Sequence, residues 1–315
     1  MTWKRCFAVA VVCAVLGGMT AGTAEARQRI AEYTIPTPDS SPQGIVTGPD
    51  GAVWFTEHYG NNIGRITARG AVTEYAIPTP ASYPLDIATG PDANLWFTES
   101  GKIGRITIAG EITEFAIPGG GNPIRITAGS DGNLWFTDYY SSRIWRMTPT
   151  GSFTHFTIPT QLSEPAGITA GPDGNLWFAE SAGDKIGRIT TAGVFTEFPI
   201  PTPPSGPELI TAGPDGNLWF TEADRYQIGR ITTAGAITEY QVPNSSFPYG
   251  ITAGPDGNLW FTATPSTIGR ITTQGAVVEH ELPTPDSVPT SITSGTGGRV
   301  WLSESWANNI AAFRP

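Results

Sequence analysis

One tryptophan-centred phrase recurs through this chain and limits what it can fold into. Its fullest form is Gly171-Pro-Asp-Gly-Asn-Leu-Trp-Phe-Ala-Glu180, followed by Lys185-Ile-Gly-Arg-Ile-Thr190. The tryptophans at 54, 96, 135, 177, 219, 260 and 301 are separated by 42, 39, 42, 42, 41 and 41 residues. A period near forty with turn signals inside it marks a repeat whose units bury their apolar faces only by stacking on neighbours. Each unit reads as four short strands. In the unit around Trp177 they are Gly167-Ile-Thr-Ala170, Asn175-Leu-Trp-Phe-Ala-Glu180, Lys185-Ile-Gly-Arg-Ile-Thr190 and Phe195-Thr-Glu-Phe-Pro-Ile200. The expected fold is therefore all-β: a seven-bladed β-propeller with four-stranded blades.

The last unit has candidate strands at 290–294, 299–303 and 309–313, but no fourth. The missing pattern lies at the other end of the chain. Ile30-Ala-Glu-Tyr-Thr-Ile-Pro36 matches the fourth-strand text Ala71-Val-Thr-Glu-Tyr-Ala-Ile-Pro78. The N-terminal strand is thus expected to complete the last blade and fasten the ring. The turns follow from Gly-Pro-Asp-Gly, which sets proline where φ is fixed and glycine where φ turns positive. The tryptophans are expected to pack between blades, with ligand stacking as the lesser alternative.

Residues 1–26 read as a separate object. Lys4 and Arg5 precede an apolar run from Cys6 to Met19, and Ala24-Glu25-Ala26 is a small-x-small cleavage site. That is the pattern of a secretory signal peptide, so residues 27–315 are expected as one exported propeller domain. A membrane anchor is the alternative, as is lipid attachment at Cys13. Both cysteines of the chain lie inside this segment, so the mature protein would carry no disulfide. Removing 1–26 leaves 16 basic and 27 acidic residues with no basic run, which argues against nucleic acid and anionic membranes as partners. The mature protein is expected to be a monomer.

Charges that recur in nearly every unit cannot mark one site. The third-strand arginines (Arg65, Arg105, Arg146, Arg188, Arg230, Arg270) and the fourth-strand glutamates are expected to pair across neighbouring strands. His155 and His280 fall in repeat slots on the rim, whereas His58 directly follows a second strand. Acids at the second-strand ends (Glu57, Glu99, Asp138, Glu180, Glu222, Glu304) would either bind a cation together or cap backbone groups. Their recurrence favours capping.

The informative positions are those that vary. First strands begin and second strands end on one face, at the mouth of the central channel. The residues leading into the first strands include Gln43, Asp86, Arg125, Glu208, Tyr249 and Thr290, while Tyr140 and Trp306 follow second strands. Gln43, Asp86, Arg125, Tyr140, Tyr249, Thr290 and Trp306 are the candidate ligand-binding set, for a small molecule, glycan or peptide. The alternative is drift in solvated loops.

The text Asn217-Leu-Trp-Phe-Thr-Glu222, Ile228-Gly-Arg-Ile-Thr232 and Ile237-Thr-Glu-Tyr240 resembles the virginiamycin B (streptogramin) lyases over the whole mature chain. The resemblance implies a seven-bladed propeller and a magnesium-dependent elimination that opens cyclic streptogramin B depsipeptides. It also implies a histidine base in a Glu-Pro-His-Gly-Ile setting. Here that setting reads Glu164-Pro-Ala-Gly-Ile168, so Glu164 matches a metal-binding glutamate while Ala166 stands where the base belongs. None of the residues leading into the seven first strands is histidine. Two functions remain: a secreted propeller that binds a ligand without lyase chemistry, and an enzyme, a carbon–oxygen lyase or another lyase or hydrolase, with a substitute base such as Glu208 or His58.

Overall fold

The computed structural model describes residues 30–244 and 246–315. The signal-peptide reading, including both cysteines, falls outside the described residues. Seven four-stranded antiparallel sheets form the ring. Blade 1 consists of β2 (Pro42–Thr47), β3 (Val53–Glu57), β4 (Asn62–Ile66) and β5 (Val72–Ala76). Blade 2 follows with β6 (Ile87–Thr89), β7 (Leu95–Glu99), β8 (Lys102–Ile106) and β9 (Ile112–Ala116). Blades 3 to 6 continue in the same order over residues 123–157, 165–199, 207–241 and 247–281. Blade 7 contains β26 (Pro289–Gly295), β27 (Arg299–Glu304), β28 (Asn309–Phe313) and β1 (Ile30–Thr34). The expected closure is present: β1 pairs antiparallel with β28, with Ile30 opposite Phe313 and Thr34 opposite Asn309.

The alternation of the second strand explains how blades stack. Trp54 points to one face and Phe55 to the other. Trp54 packs into a cluster with Ile87, Leu95 and Phe97 of blade 2. Trp301 packs likewise with Ile45, Val53 and Phe55, which joins the last blade to the first. All seven tryptophans are at most 2% exposed. That removes the ligand-stacking alternative. On the Phe55 face, Gly64 of β4 leaves room for the ring, because a Cβ there would lie 2.1 Å from Phe55.

The aspartate of the turn has a function beyond the turn. Its Oδ1 accepts the indole N–H of the tryptophan four residues on, as in Asp173 with Trp177 at 3.0 Å. The turn is closed by the Gly51 N–H donating to the Gly48 carbonyl at 3.0 Å, with Gly51 at φ 74°.

The third-strand arginines do not pair with the fourth-strand glutamates. Arg65 lies over the Trp54 ring at 5.7 Å and meets Asp50 at 2.7 Å. The register decides this, because Arg65 sits opposite Trp54 and Thr73, on the face away from Glu74. The glutamates instead reach the loop of the preceding blade, as where the Thr37 N–H donates to Glu74 at 2.8 Å. His155 is exposed beside Trp145, and His280 packs on Trp260 and Phe313.

Candidate functional site at the channel mouth

A ring of hydroxyls fixes the loops at the mouth. The Thr56 hydroxyl accepts the Gly44 N–H at 2.9 Å and donates to the Leu85 carbonyl of blade 2 at 3.0 Å. Thr98, Thr137, Thr221, Thr262 and Ser303 make the same link to the blade that follows each. The signal was in the recurring Leu-Trp-Phe-Thr text, whose threonine the sequence reading did not use. Ala179 breaks the ring, so the loop carrying Glu208 lacks this hydroxyl.

Four first-strand residues meet at the mouth. Arg125, at the start of blade 3, reaches Asp86 of blade 2 at 3.4 Å and the Tyr249 hydroxyl of blade 6 at 3.2 Å. Its guanidinium also lies 5.7 Å from the centre of the Tyr249 ring. Blades 3 and 6 are on opposite sides of the ring, so this contact bridges the channel. Arg125 is 7% exposed, which makes it a buried charge that needs these partners. Asp86 is tied further by the Ile126 N–H at 2.9 Å. Burial raises the Asp86 carboxyl, while Arg125 acts to lower it. Below the bridge, one isoleucine per blade lines a chamber of about 150 Å³.

Glu208 stands beside this bridge. Burial pushes its carboxyl up to about 7, Asp224 and Glu164 push in the same direction, and Arg125 opposes them. Glu164 accepts the Tyr139 hydroxyl at 2.7 Å. Tyr139 follows the second strand of blade 3, directly before the candidate Tyr140. Glu164 and Glu208 lie close enough for their charges to couple. Among the described residues no group of three His, Cys, Asp or Glu side chains is arranged to hold a metal ion. Two carboxylates nevertheless match what magnesium takes from proteins, since it keeps most of its water.

His58 lies on the same face. Its Nδ1 is 3.3 Å from the Pro84 carbonyl, and its ring contacts Tyr59 and Tyr83 at 4.7 and 5.4 Å. Burial lowers its pKa, so the ring is neutral near neutral pH. Tyr140 and Trp306 are 72% and 78% exposed on loops of this face. Two expected residues are turned into the wall. Gln43 donates to the Ser305 hydroxyl at 2.8 Å, and the Thr290 hydroxyl bonds that of Ser303 at 2.8 Å. Gln43 thereby joins blade 1 to blade 7, and the Thr290 hydroxyl lies 3.4 Å from the Pro42 and Gln43 carbonyls of blade 1.

The ring of second-strand acids does not cap backbone as expected. Only Asp138 does so, accepting the Asn122 N–H at 3.1 Å. The five glutamates are at most 1% exposed and point between blades.

The comparisons with known proteins agree with this architecture. The model of the virginiamycin B lyase family matches residues 10–208 and 195–315. The structure of selenomethionine-substituted virginiamycin B lyase from Staphylococcus aureus superposes with a TM-score of 0.87 at 39% identity. It covers 91% of this chain and 99% of that one. A catalytically inactive His-to-Ala variant of the Staphylococcus aureus enzyme with quinupristin gives the same TM-score of 0.87 at 38% identity, over 91% and 99% of the two chains. A virginiamycin B lyase from Bacillus licheniformis is 47% identical over 38 residues, 12% of this chain and 13% of that protein. With its seven blades, its closure and a repeat matched from end to end, the chain belongs to the virginiamycin B lyase family.

Proposed function

We propose that this protein is a secreted, monomeric propeller that binds a ring-bearing, peptide-like ligand at the channel mouth without the elimination chemistry of the lyases. The observation that carries the reading is the Arg125 bridge. The mouth presents a guanidinium held between Asp86 and Tyr249, and Ala166 replaces the base that the family resemblance implies. Tyr140 and Trp306 offer exposed aromatic area beside these polar groups, the pairing that orients cyclic peptides and other ring-bearing ligands. The Staphylococcus aureus variant supports the separation of binding from chemistry, because that catalytically inactive protein is found with quinupristin. Glu164 and Glu208 would hold a magnesium ion, whose contribution would be to polarise a ligand carbonyl.

A second reading rests on Glu208. A carboxyl pushed up to about 7 is matched to proton abstraction near neutral pH. One experiment separates the two. The mature protein is titrated with quinupristin by calorimetry, with and without magnesium, and the mixture is examined by mass spectrometry for the linear product. Binding with no linear product supports the first reading. A linear product whose rate rises through about pH 7 and vanishes in Glu208→Gln supports the second. Neither binding nor product rejects this ligand class for both.

A further inference from the structure

The second-strand glutamates pose a problem in hydrogen bonding. Glu57, Glu99, Glu180 and Glu222 are at most 1% exposed. Both carboxyl oxygens of Glu99, Glu180 and Glu222 lack a hydrogen-bond partner, as does Oε1 of Glu57, whose Oε2 accepts from Asn62 at 3.1 Å. A buried carboxylate left in this condition is strongly disfavoured. What each one faces, from the outermost strand of its own blade, is a second carboxyl: Glu74, Glu114, Glu197 and Glu239 respectively. Two carboxylates cannot hydrogen-bond to each other, because both only accept. One proton between them resolves the problem, since a protonated carboxyl donates.

We propose that in blades 1, 2, 4 and 5 the buried second-strand glutamate is a neutral acid that donates to the fourth-strand carboxylate, so that each interface is latched by one proton and loosens when it leaves. The outer partner is in turn bonded to the preceding loop, to the Thr37 N–H at 2.8 Å in blade 1 and to the Thr160 N–H at 3.0 Å in blade 4. The chain of contacts therefore runs from the loop of the preceding blade to the outer carboxylate and, through the shared proton, to the second strand of the same blade. The latches sit at the mouth end, directly before the loops that carry His58, Tyr59 and Asp224. Blade 7 has the same two residues, but there Glu32 acts on Glu304 through its charge alone, and Ser287 and Asn309 beside Glu304 favour its charged form. Blade 6 has Ala263, and blade 3 has Asp138 and His155 at the two positions, so neither has a latch.

The charged groups around each latch differ. Glu57 faces Glu74 alone. Glu99 and Glu180 also meet Lys102 and Lys185, which bond the outer carboxylates at 3.1 Å. Glu222 faces Glu239, Asp184 and Arg225. The hydroxyls of Ser82 and Thr160 stand beside Glu99 and Glu180 and favour the charged form, without reaching bonding geometry. Burial is the largest cause pushing all four up, to about 8, and the facing carboxylates add to it. An acid raised in the folded state stabilises fully below its ordinary pKa of 4.5. That contribution declines as pH rises and is gone above about 8. Each pair titrates as a unit that keeps one proton through neutrality.

The test uses the mature protein. Its melting temperature is expected to fall by on the order of 10 °C between pH 5 and pH 9. Glu57→Gln and Glu222→Gln together place amide donors where the protons were, and the fall is expected to shrink by about half. Infrared difference spectra of the unaltered protein are expected to show a carboxylic acid carbonyl band at pH 7 that disappears by pH 9. This reading stands whether or not the variants fold. Absence of that band, or an undiminished fall of melting temperature in a folded double variant, overturns the proposal.

Discussion

Arg125 shows how much one side chain can depend on partners far away in sequence. Its three contacts come from blades 2 and 6, and it is nearly inaccessible to water. The sequence reading placed Asp86, Arg125, Glu208 and Tyr249 at one mouth, and there they are. Burial makes the guanidinium costly to remove. Removing one partner of a buried pair strands the other charge, at a cost of about 3 kcal/mol. Arg125→Ala is therefore expected to lower stability by about that amount, because Asp86 is left buried without its cation. Adding Asp86→Asn should recover part of the loss, and Tyr249→Phe alone should cost about 1 kcal/mol. Urea unfolding of the four proteins checks all three, and equal losses in the single and double variants would show that Asp86 does not need Arg125.

At the scale of the element, the fourth strand is the outermost of each blade, and in blade 7 it is supplied by the other end of the chain. β1 buries Ile30, the following residue Ile35 is 2% exposed, and Tyr33 stacks on Trp301 at 5.8 Å. Without β1 the backbone edge of β28 is unpaired and Trp301 loses its cover. Burial of two isoleucines and most of a tyrosine corresponds to about 5 kcal/mol. Deleting residues 27–36 is expected to lower the melting temperature by more than 10 °C. A melting curve unchanged by the deletion would contradict the closure. The text of residues 30–36 disclosed this element because it repeats a pattern found elsewhere. What the text did not disclose was the destination of the arginines. That depends on which face of the third strand they occupy, and only the register between β3 and β4 settles it.

At the scale of the whole molecule, stability comes from seven interfaces of the same kind rather than from one central core. Five place a tryptophan against the isoleucine, leucine and phenylalanine of the next blade, and in the two that flank blade 7 a valine replaces the leucine and Leu302 the phenylalanine of blade 7. Covalent cross-links take no part after residue 26, since the chain's cysteines are Cys6 and Cys13. The melting temperature of the mature protein is therefore expected to be the same with and without dithiothreitol, and a reductant-dependent shift would reveal a retained N-terminal segment. The order of the blades also sets the chemistry of the mouth. Blade 3 faces blade 6 across the ring, so Arg125 can reach Tyr249.

The period near forty determined the seven blades, because a unit with one apolar stripe must stack and identical units stack identically. The turn text determined the hairpins, since Pro49 and Gly51 suit only particular φ values. The sequence also disclosed that the mouth varies where the walls do not. It could not show which of the varying residues face each other, because that depends on the angle between blades far apart in the chain. It could not separate Gln43 and Thr290, which bond within the wall, from Arg125, which crosses the channel. Nor could it show that a glutamate repeated along the chain is buried against a second one. Spacing places Glu57 and Glu74 on the second and fourth strands of one blade, but only the packing of blade on blade removes the water between them and makes a shared proton necessary.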